Sequence, residues 1–257
     1  MRIELAKRLN EKIFYGWSIV LAAGLLTFFG TGFFSYTRGF FLPELAEALD
    51  GGNRFFISLG FSLATMTGAL ISPAVGRYLD QGSPKKIIFL GIVVNSFFYL
   101  VLSQASSLLA FYIAVSIGLG VGMICMGGFT HHRAILNWFD QWRGRAVSVA
   151  VLGASLAGVA MPPVVESLIT NYGWQTTYQV FALVLILGLS PVVWLFFIDQ
   201  PEEIKEVRDG KQYATKNSQP EELFERDNRV WSFKELVKNP SFWSIGLIFG
   251  TMLSIWS

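Results

Sequence analysis

The stretch NWFDQWRGRAVSVAVLGASLAGVAMPP, residues 137–163, opens with aromatic and basic side chains and then carries no charge until Glu166. Ala146, Ala150, Ala154 and Gly158 fall at every fourth position, so on a helix they share one side. A membrane offers no hydrophobic force between helices, and close approach through small side chains supplies the packing instead. Arg143 and Arg145 sit at one end of this apolar run, as they do where a spanning helix meets the cytoplasm. A longer ladder of the same kind runs Gly60, Ala64, Gly68, Ser72 and Gly76. Both ladders predict spanning helices that pack through small residues.

Working outward, the 257-residue chain is 53% hydrophobic and 15% aromatic, far more apolar than an ordinary soluble domain. Runs of roughly 20 apolar residues, enough to cross a bilayer, recur along it. The expected spans are 14–36, 55–76, 87–105, 107–130, 146–169 and 175–198, with a seventh beginning near Ser241. The fold class is therefore all-α and polytopic. The first span is too long for the core of a cleavable signal peptide. A single cysteine, Cys125, excludes a disulfide framework.

Basic residues alternate between the connections. Arg2, Lys7, Arg8 and Lys12 precede the first span, Arg77, Lys85 and Lys86 follow the second, and Arg133, Arg143 and Arg145 follow the fourth. The opposite side holds only Arg38 and Arg54. The N-terminus and the even-numbered connections are thus expected in the cytoplasm. The two ladders lie on the middle helices of spans 1–3 and 4–6, the arrangement a three-plus-three inverted repeat would produce. The expected domains are a six-helix bundle over 1–198, a flexible cytoplasmic central loop over 199–240, and the start of a second bundle over 241–257. Within the loop, Ser232 and Glu235 form a possible capping box. An N-terminal fragment of a longer membrane protein is expected.

The segment GRYLDQGSPKK, residues 76–86, resembles the loop motif of the major facilitator superfamily, which Gly76, Asp80, Lys85 and Lys86 match. Gln81 replaces the usual arginine and Ser83 the usual glycine. NWFDQWRGRA, YGWQTTY (172–178) and DQPEEI (199–204) are similar to segments of the oxalate:formate antiporter and monocarboxylate transporter branch. The resemblance implies an N-terminal six-helix transporter bundle in the cell membrane and a conformational-gating set of Gly76, Asp80, Lys85, Lys86, Arg143, Gly144 and Arg145. It also implies a small organic anion, such as a monocarboxylate, as the solute. On physical grounds Asp80, at a helix C-terminus, needs a cation or a helix N-terminus nearby. Arg77 and Lys85 are the candidates.

For the substrate, the first span offers a polar row of Thr27, Thr31, Ser35 and Arg38, spaced to share a face. Tyr36 and Phe33 beside it would add an aromatic wall, and Asn95 in the third span is a further candidate. Two readings of Arg38 stand at this point: it binds a carboxylate from a cavity, or it snorkels to the headgroups. His131 and His132 point about 100° apart on a helix and make a poor metal pair. They are expected at the cytoplasmic interface. Helix packing is assigned to Gly60, Ala64, Gly68 and Ser72 on the second span and to Ala150, Ala154 and Gly158 on the fifth. Their faces are expected to await an absent partner half. No metal, cofactor or nucleic acid is expected; the expected partners are a carboxylate solute, the lipid bilayer and a C-terminal transporter half. Two other classes compete with a transporter. GASLA (153–157) faintly resembles an intramembrane serine protease, but no histidine follows Ser155 to act as base. The other is a half-length membrane protein that pairs with a second subunit or acts as a non-transporting scaffold. Within the transporter class, a major facilitator transporter for a non-anionic substrate is the alternative.

Overall fold

The computed structural model describes residues 14–50, 53–209, 235 and 238–256, and among these every regular element is helical. Five helices are long and apolar enough to cross a membrane: Gly16–Tyr36, Arg54–Asp80, Pro84–Ser103, Leu108–Trp138 and Arg143–Phe196. The last has 54 residues, which a straight helix would stretch to about 80 Å. It is broken at Gly173, whose φ of 80° and ψ of 165° no helix accommodates. Glycine reaches that region without a steric penalty. The segment is therefore two spans, 143–172 and 174–196, and the bundle has six. The second, third and fourth begin at side-chain caps. Asn53 accepts from the Phe55 amide at 3.0 Å, Ser83 from Lys86 at 3.2 Å and Ser107 from Ala110 at 3.3 Å.

The small residues explain how the spans pair. On the second helix Gly60, Ala64 and Gly68 are buried against the fourth. A Cβ on Gly60 would overlap the Phe111 ring, and one on Gly120 would lie 2.6 Å from the Ala64 carbonyl oxygen. On the fifth helix Gly153 touches the backbone of Gly24 in the first, where a Cβ would overlap the Gly24 carbonyl. Ala157 lies against Gly32 of the same helix. The third helix meets the sixth through Tyr99 and Phe181, whose rings are edge-on at 5.6 Å. Second on fourth, fifth on first and third on sixth is the set of pairings that exchanging two repeats of three helices preserves.

Two expectations about the ladders change. Their faces do not await another half: they are already packed inside this bundle. The buried row of the fifth helix is Ala146, Ala150, Gly153, Ala157 and Met161, while Ala154 and Gly158 are half-buried at its margin. A strict four-residue step advances about 40° past a full turn, so it leaves a straight interface after two or three steps. The same drift leaves Ser72 and Gly76 half-buried while Val75 and Leu79 are buried.

The connections are also more ordered than a loop reading suggests. After Thr37 the chain continues as the helix Arg38–Asp50, burying Phe41, Leu45 and Ala46. Phe41 stacks on Tyr178 at 4.2 Å, and Phe33 on Phe181 at 3.8 Å, closing that end of the bundle with aromatic rings. Residues 199–209, expected as free linker, include a short turn of helix, Pro201–Ile204, with Pro201 and Ile204 buried. The outer surface keeps Leu70 and Val159 more than 70% exposed, which suits contact with lipid or another apolar surface. By itself, the 17-residue helix Pro240–Trp256 covers most of the expected seventh span. Ser232 and the rest of 210–234 lie outside the described residues, so the capping box with Glu235 is not described.

Candidate functional site

The first helix does not end regularly. Residues Gly32–Tyr36 widen into a π-helical turn, which inserts extra backbone before Arg38. Thr37 closes the turn by donating its hydroxyl to the Phe33 carbonyl at 2.9 Å. Ser35 and Arg38 then face the same cavity, of about 380 Å³, between the first, second and fourth helices. Ala64, Thr65 and Gly68 form one wall and Gly120 to Phe129 supply the other. The small ladder residues keep that space open. Among the described residues Arg38 has no ion pair.

Thr31 lies in an adjoining hollow of about 180 Å³ with Thr27, His131 and His132. The remaining sequence candidates lie elsewhere. Tyr36 faces Gly158 on the fifth helix, its ring 3.4 Å from where a Cβ would stand. Asn95 is 2% exposed behind the fourth helix, donating to the Met126 sulfur at 2.9 Å. Ser35 and Arg38 are thus brought together, Thr31 is their neighbour, and Tyr36 and Asn95 are set apart.

The structure adds a feature the sequence reading passed over. The fourth helix is interrupted at Gly127, where φ is −77° and ψ −172°. Gly120–Met126 ends there, and Gly128–Trp138 starts afresh within the same membrane-length span. Breaking a helix in lipid frees carbonyls that must be satisfied internally. Thr130 Oγ1 donates to the Ile124 carbonyl at 3.3 Å, and His131 Nδ1 meets the Met126 carbonyl at 3.3 Å. On its far side His131 Nε2 lies 3.1 Å from Thr27 Oγ1. His131 is therefore 2% exposed within the bundle, seven residues before the end of the fourth helix at Trp138. The adjacent Gly127 and Gly128 were the available signal. The amides of Gly128 and Phe129 open the new helix without intrahelical acceptors. They border the cavity that holds Arg38, and a helix N-terminus there favours an anion.

The gating set lies at the bundle end that carries Phe14 and Trp138. Asp80 is exposed and makes no ion pair among the described residues. Lys85, expected as its partner, instead donates Nζ to the Trp194 carbonyl at 2.8 Å, with the Trp194 ring 4.8 Å away. The anion at the start of the third helix is Asp199. Its carboxylate accepts from the Ser83 hydroxyl and, at 2.9 Å, from the Lys85 amide. Asn137 Nδ2 donates to the Asp199 carbonyl at 3.0 Å, and Trp138 Nε1 to that of Ile198 at 2.8 Å. Asp209, with φ 58°, accepts from the amides of Asp140 and Gln141 at 2.9 and 2.7 Å. Arg143 pairs with Asp140 at 2.7 Å, and Arg145 lies 4.5 Å from the Trp142 ring. Lys86 is exposed, and Gly76 and Gly144 have nothing within 4 Å of a built Cβ. Among the described residues no cluster of three histidine, cysteine or acidic side chains can hold a metal.

Six apolar spans among the described residues, paired as two groups of three, define a multi-pass helical membrane protein. The chain belongs to the Major Facilitator Superfamily, whose family model matches residues 5–257. That is a family of transporters, not of enzymes. The chain is 28% identical over 192 residues to the uncharacterized MFS-type transporter YcxA of Bacillus subtilis (strain 168), covering 74% of this chain and 47% of that protein. It is 28% identical over 178 residues to an MFS-type transporter of Gibberella moniliformis, covering 68% and 40%. To monocarboxylate transporter 13 of Rattus norvegicus it is 27% identical over 185 residues, covering 68% and 39%. The chain spans less than half the length of these curated relatives.

Proposed function

We propose that the chain is the N-terminal half of a secondary transporter that moves a small organic anion, a monocarboxylate foremost, by rocking of two helical bundles. In this reading it lies in the cell membrane with its N-terminus in the cytoplasm, as the distribution of lysine and arginine favours. The observation that carries the solute class is Arg38. It lacks an acidic partner among the described residues and opens on a cavity shared with Ser35 and the amide end of a broken helix. A guanidinium holds a carboxylate through two parallel hydrogen bonds, which a lysine ammonium cannot reproduce. The similarity to a monocarboxylate transporter supports the same solute class. Ser35 adds a neutral donor, and Thr31 lies one hollow deeper. Asp80, Gly76 and Gly144 find no partner within the described bundle, which suits residues that meet a second half as the transporter switches.

Uptake of labelled lactate, pyruvate or formate by the full-length protein in proteoliposomes tests this. Arg38 is exposed in the described bundle, so the site becomes desolvated only when a second half closes over it. In that enclosed state Arg38→Gln should raise KM well over tenfold, because truncating one partner of a buried charge pair costs roughly 2–5 kcal/mol. Arg38→Lys should lose only part of the activity. Near-normal KM in both variants, at equal protein in the membrane, would place Arg38 among the headgroups and end the assignment.

A further inference from the structure

The fourth helix carries two more basic side chains that the Arg38 cavity does not use. His132 and Arg133 lie within the Leu108–Trp138 span, Arg133 five residues before its end. That is about 8 Å along the axis. A third hollow, of about 600 Å³, is lined by Phe129, His132, Arg133 and Leu136 and meets both other hollows at Gly128. Together the three make one groove along the fourth helix from Ile124 to Leu136. No acidic side chain lines any part of it.

Both basic side chains line this groove, Arg133 at its surface and His132 beneath it. His132 Nε2 is buried and has no hydrogen-bond partner. Arg133 is exposed and forms no ion pair among the described residues. The 31-residue helix is longer than the roughly 20 residues a bilayer core needs, so Arg133 stands near its polar boundary, where a guanidinium faces an aqueous entrance. The groove has polarity as well. Trp138 packs on Phe14 and Tyr15 at the start of the first helix, so Arg133 lies toward that end. Arg38 lies two residues beyond the last residue of the same helix, at the other end.

We propose that His132 and Arg133 form a second carboxylate-binding position, at the opposite mouth of the groove from Arg38. It takes the same anion on the N-terminal side of the membrane, before release or after entry. The guanidinium presents paired N–H groups to the carboxylate, and His132 adds one donor when Nε2 carries its proton. Phe129, 70% exposed, offers an apolar wall to the carbon chain. An anion then moves between two cationic positions without crossing an acidic side chain. This inference rests on the anion-transport reading above.

The test is sided. Labelled lactate transport by the full-length protein is measured in right-side-out and in inside-out membrane vesicles from the same cells. Arg133→Gln should raise KM more than about tenfold from the N-terminal face and leave it unchanged from the other, with partial recovery in Arg133→Lys. His132→Gln, a milder change that keeps Arg133, should shift KM on the same face by a smaller factor. Arg38→Gln should show the reverse sidedness. Equal shifts on both faces, or none in either variant, would overturn the second position while leaving anion transport standing. Wild-type protein that moves no carboxylate from either face would remove the reading and the inference together. The asymmetry should persist in vesicles of phosphatidylcholine alone. Its disappearance there would show that Arg133 holds an anionic lipid headgroup, and the inference would fail.

Discussion

At the end of the bundle that carries Phe14 and Trp138, buried and half-buried polar groups are used against one another. Asp199 binds the third helix, Asp209 binds the start of the fifth, and Trp138 and Asn137 bind the chain leaving the sixth. Along the groove between the first and fourth helices the pattern reverses. Arg38 and Arg133 have no ion pair among the described residues, and His132 Nε2 has no partner. The first region consumes its hydrogen-bonding capacity in holding helix ends together. The second keeps that capacity open beside a hollow. A polar group costs free energy when buried without a partner, as His132 Nε2 is. The Arg38 and Arg133 guanidiniums stand exposed and unpaired beside the hollows, which suits a wall that meets a transient anion.

The largest effect that can break this contrast is Arg38→Gln. It should cost transport affinity by more than tenfold, through roughly 2–5 kcal/mol, without lowering the thermal unfolding midpoint in detergent. A clear fall in the midpoint would mean that Arg38 holds the bundle together as Asp199 does. Asp199→Ala should behave in the opposite manner. It removes the acceptor of the Lys85 amide and of the Ser83 hydroxyl at the start of the third helix, worth about 0.5–2 kcal/mol, and should lower the midpoint while leaving KM close to wild type. A changed KM with an unchanged midpoint would place Asp199 in the transport cycle instead.

Thr130→Val sits between the two regions. It withdraws the donor to the Ile124 carbonyl at the break, at a cost of about 0.5–1.5 kcal/mol. A modest fall in the midpoint is expected, together with a weaker solute interaction, because the broken helix would lose its fixed direction. Unchanged values of both would show that the break needs no side-chain support. Gly76→Ala should be the smallest. Nothing lies within 4 Å of a Cβ there, and alanine gains up to about 1 kcal/mol over glycine within a helix. The midpoint should hold or rise slightly. If transport nevertheless falls, Gly76 matters to a surface outside this bundle.

The spans were legible in the sequence because lipid demands long apolar runs, and basic residues marked their ends. The packing partners of those spans were not. A row such as Ala150, Ala154 and Gly158 shows that small residues matter, but beyond Ala150 the contact passes to Gly153 and Ala157 because the helical repeat is not four. The break at Gly127 was hidden for a different reason: the apolar composition continues unchanged across it, and only the glycine pair and Thr130 betray it. Asp199 lay farther out of reach, since it caps a helix that starts over a hundred residues earlier in the chain. Arg38 was found because a charge beside a hydroxyl row is conspicuous in an apolar helix. His132 and Arg133 follow the end of the apolar run at 130, and only the structure shows that the helix continues past them to Trp138.

The turn at Gly173 has a consequence for how this chain tolerates change in length. One glycine joins the fifth and sixth helices, so there is no slack between them to absorb an added or deleted residue. Inserting a single residue after Gly173 would swing the whole sixth helix by about 100°. Tyr178 and Phe181 would leave their stacks on Phe41 and Phe33, and Trp194 would turn from Lys85 at the opposite end. Substitutions can be accommodated locally along this hairpin, whereas a one-codon insertion at its tip would be transmitted across the full thickness of the membrane.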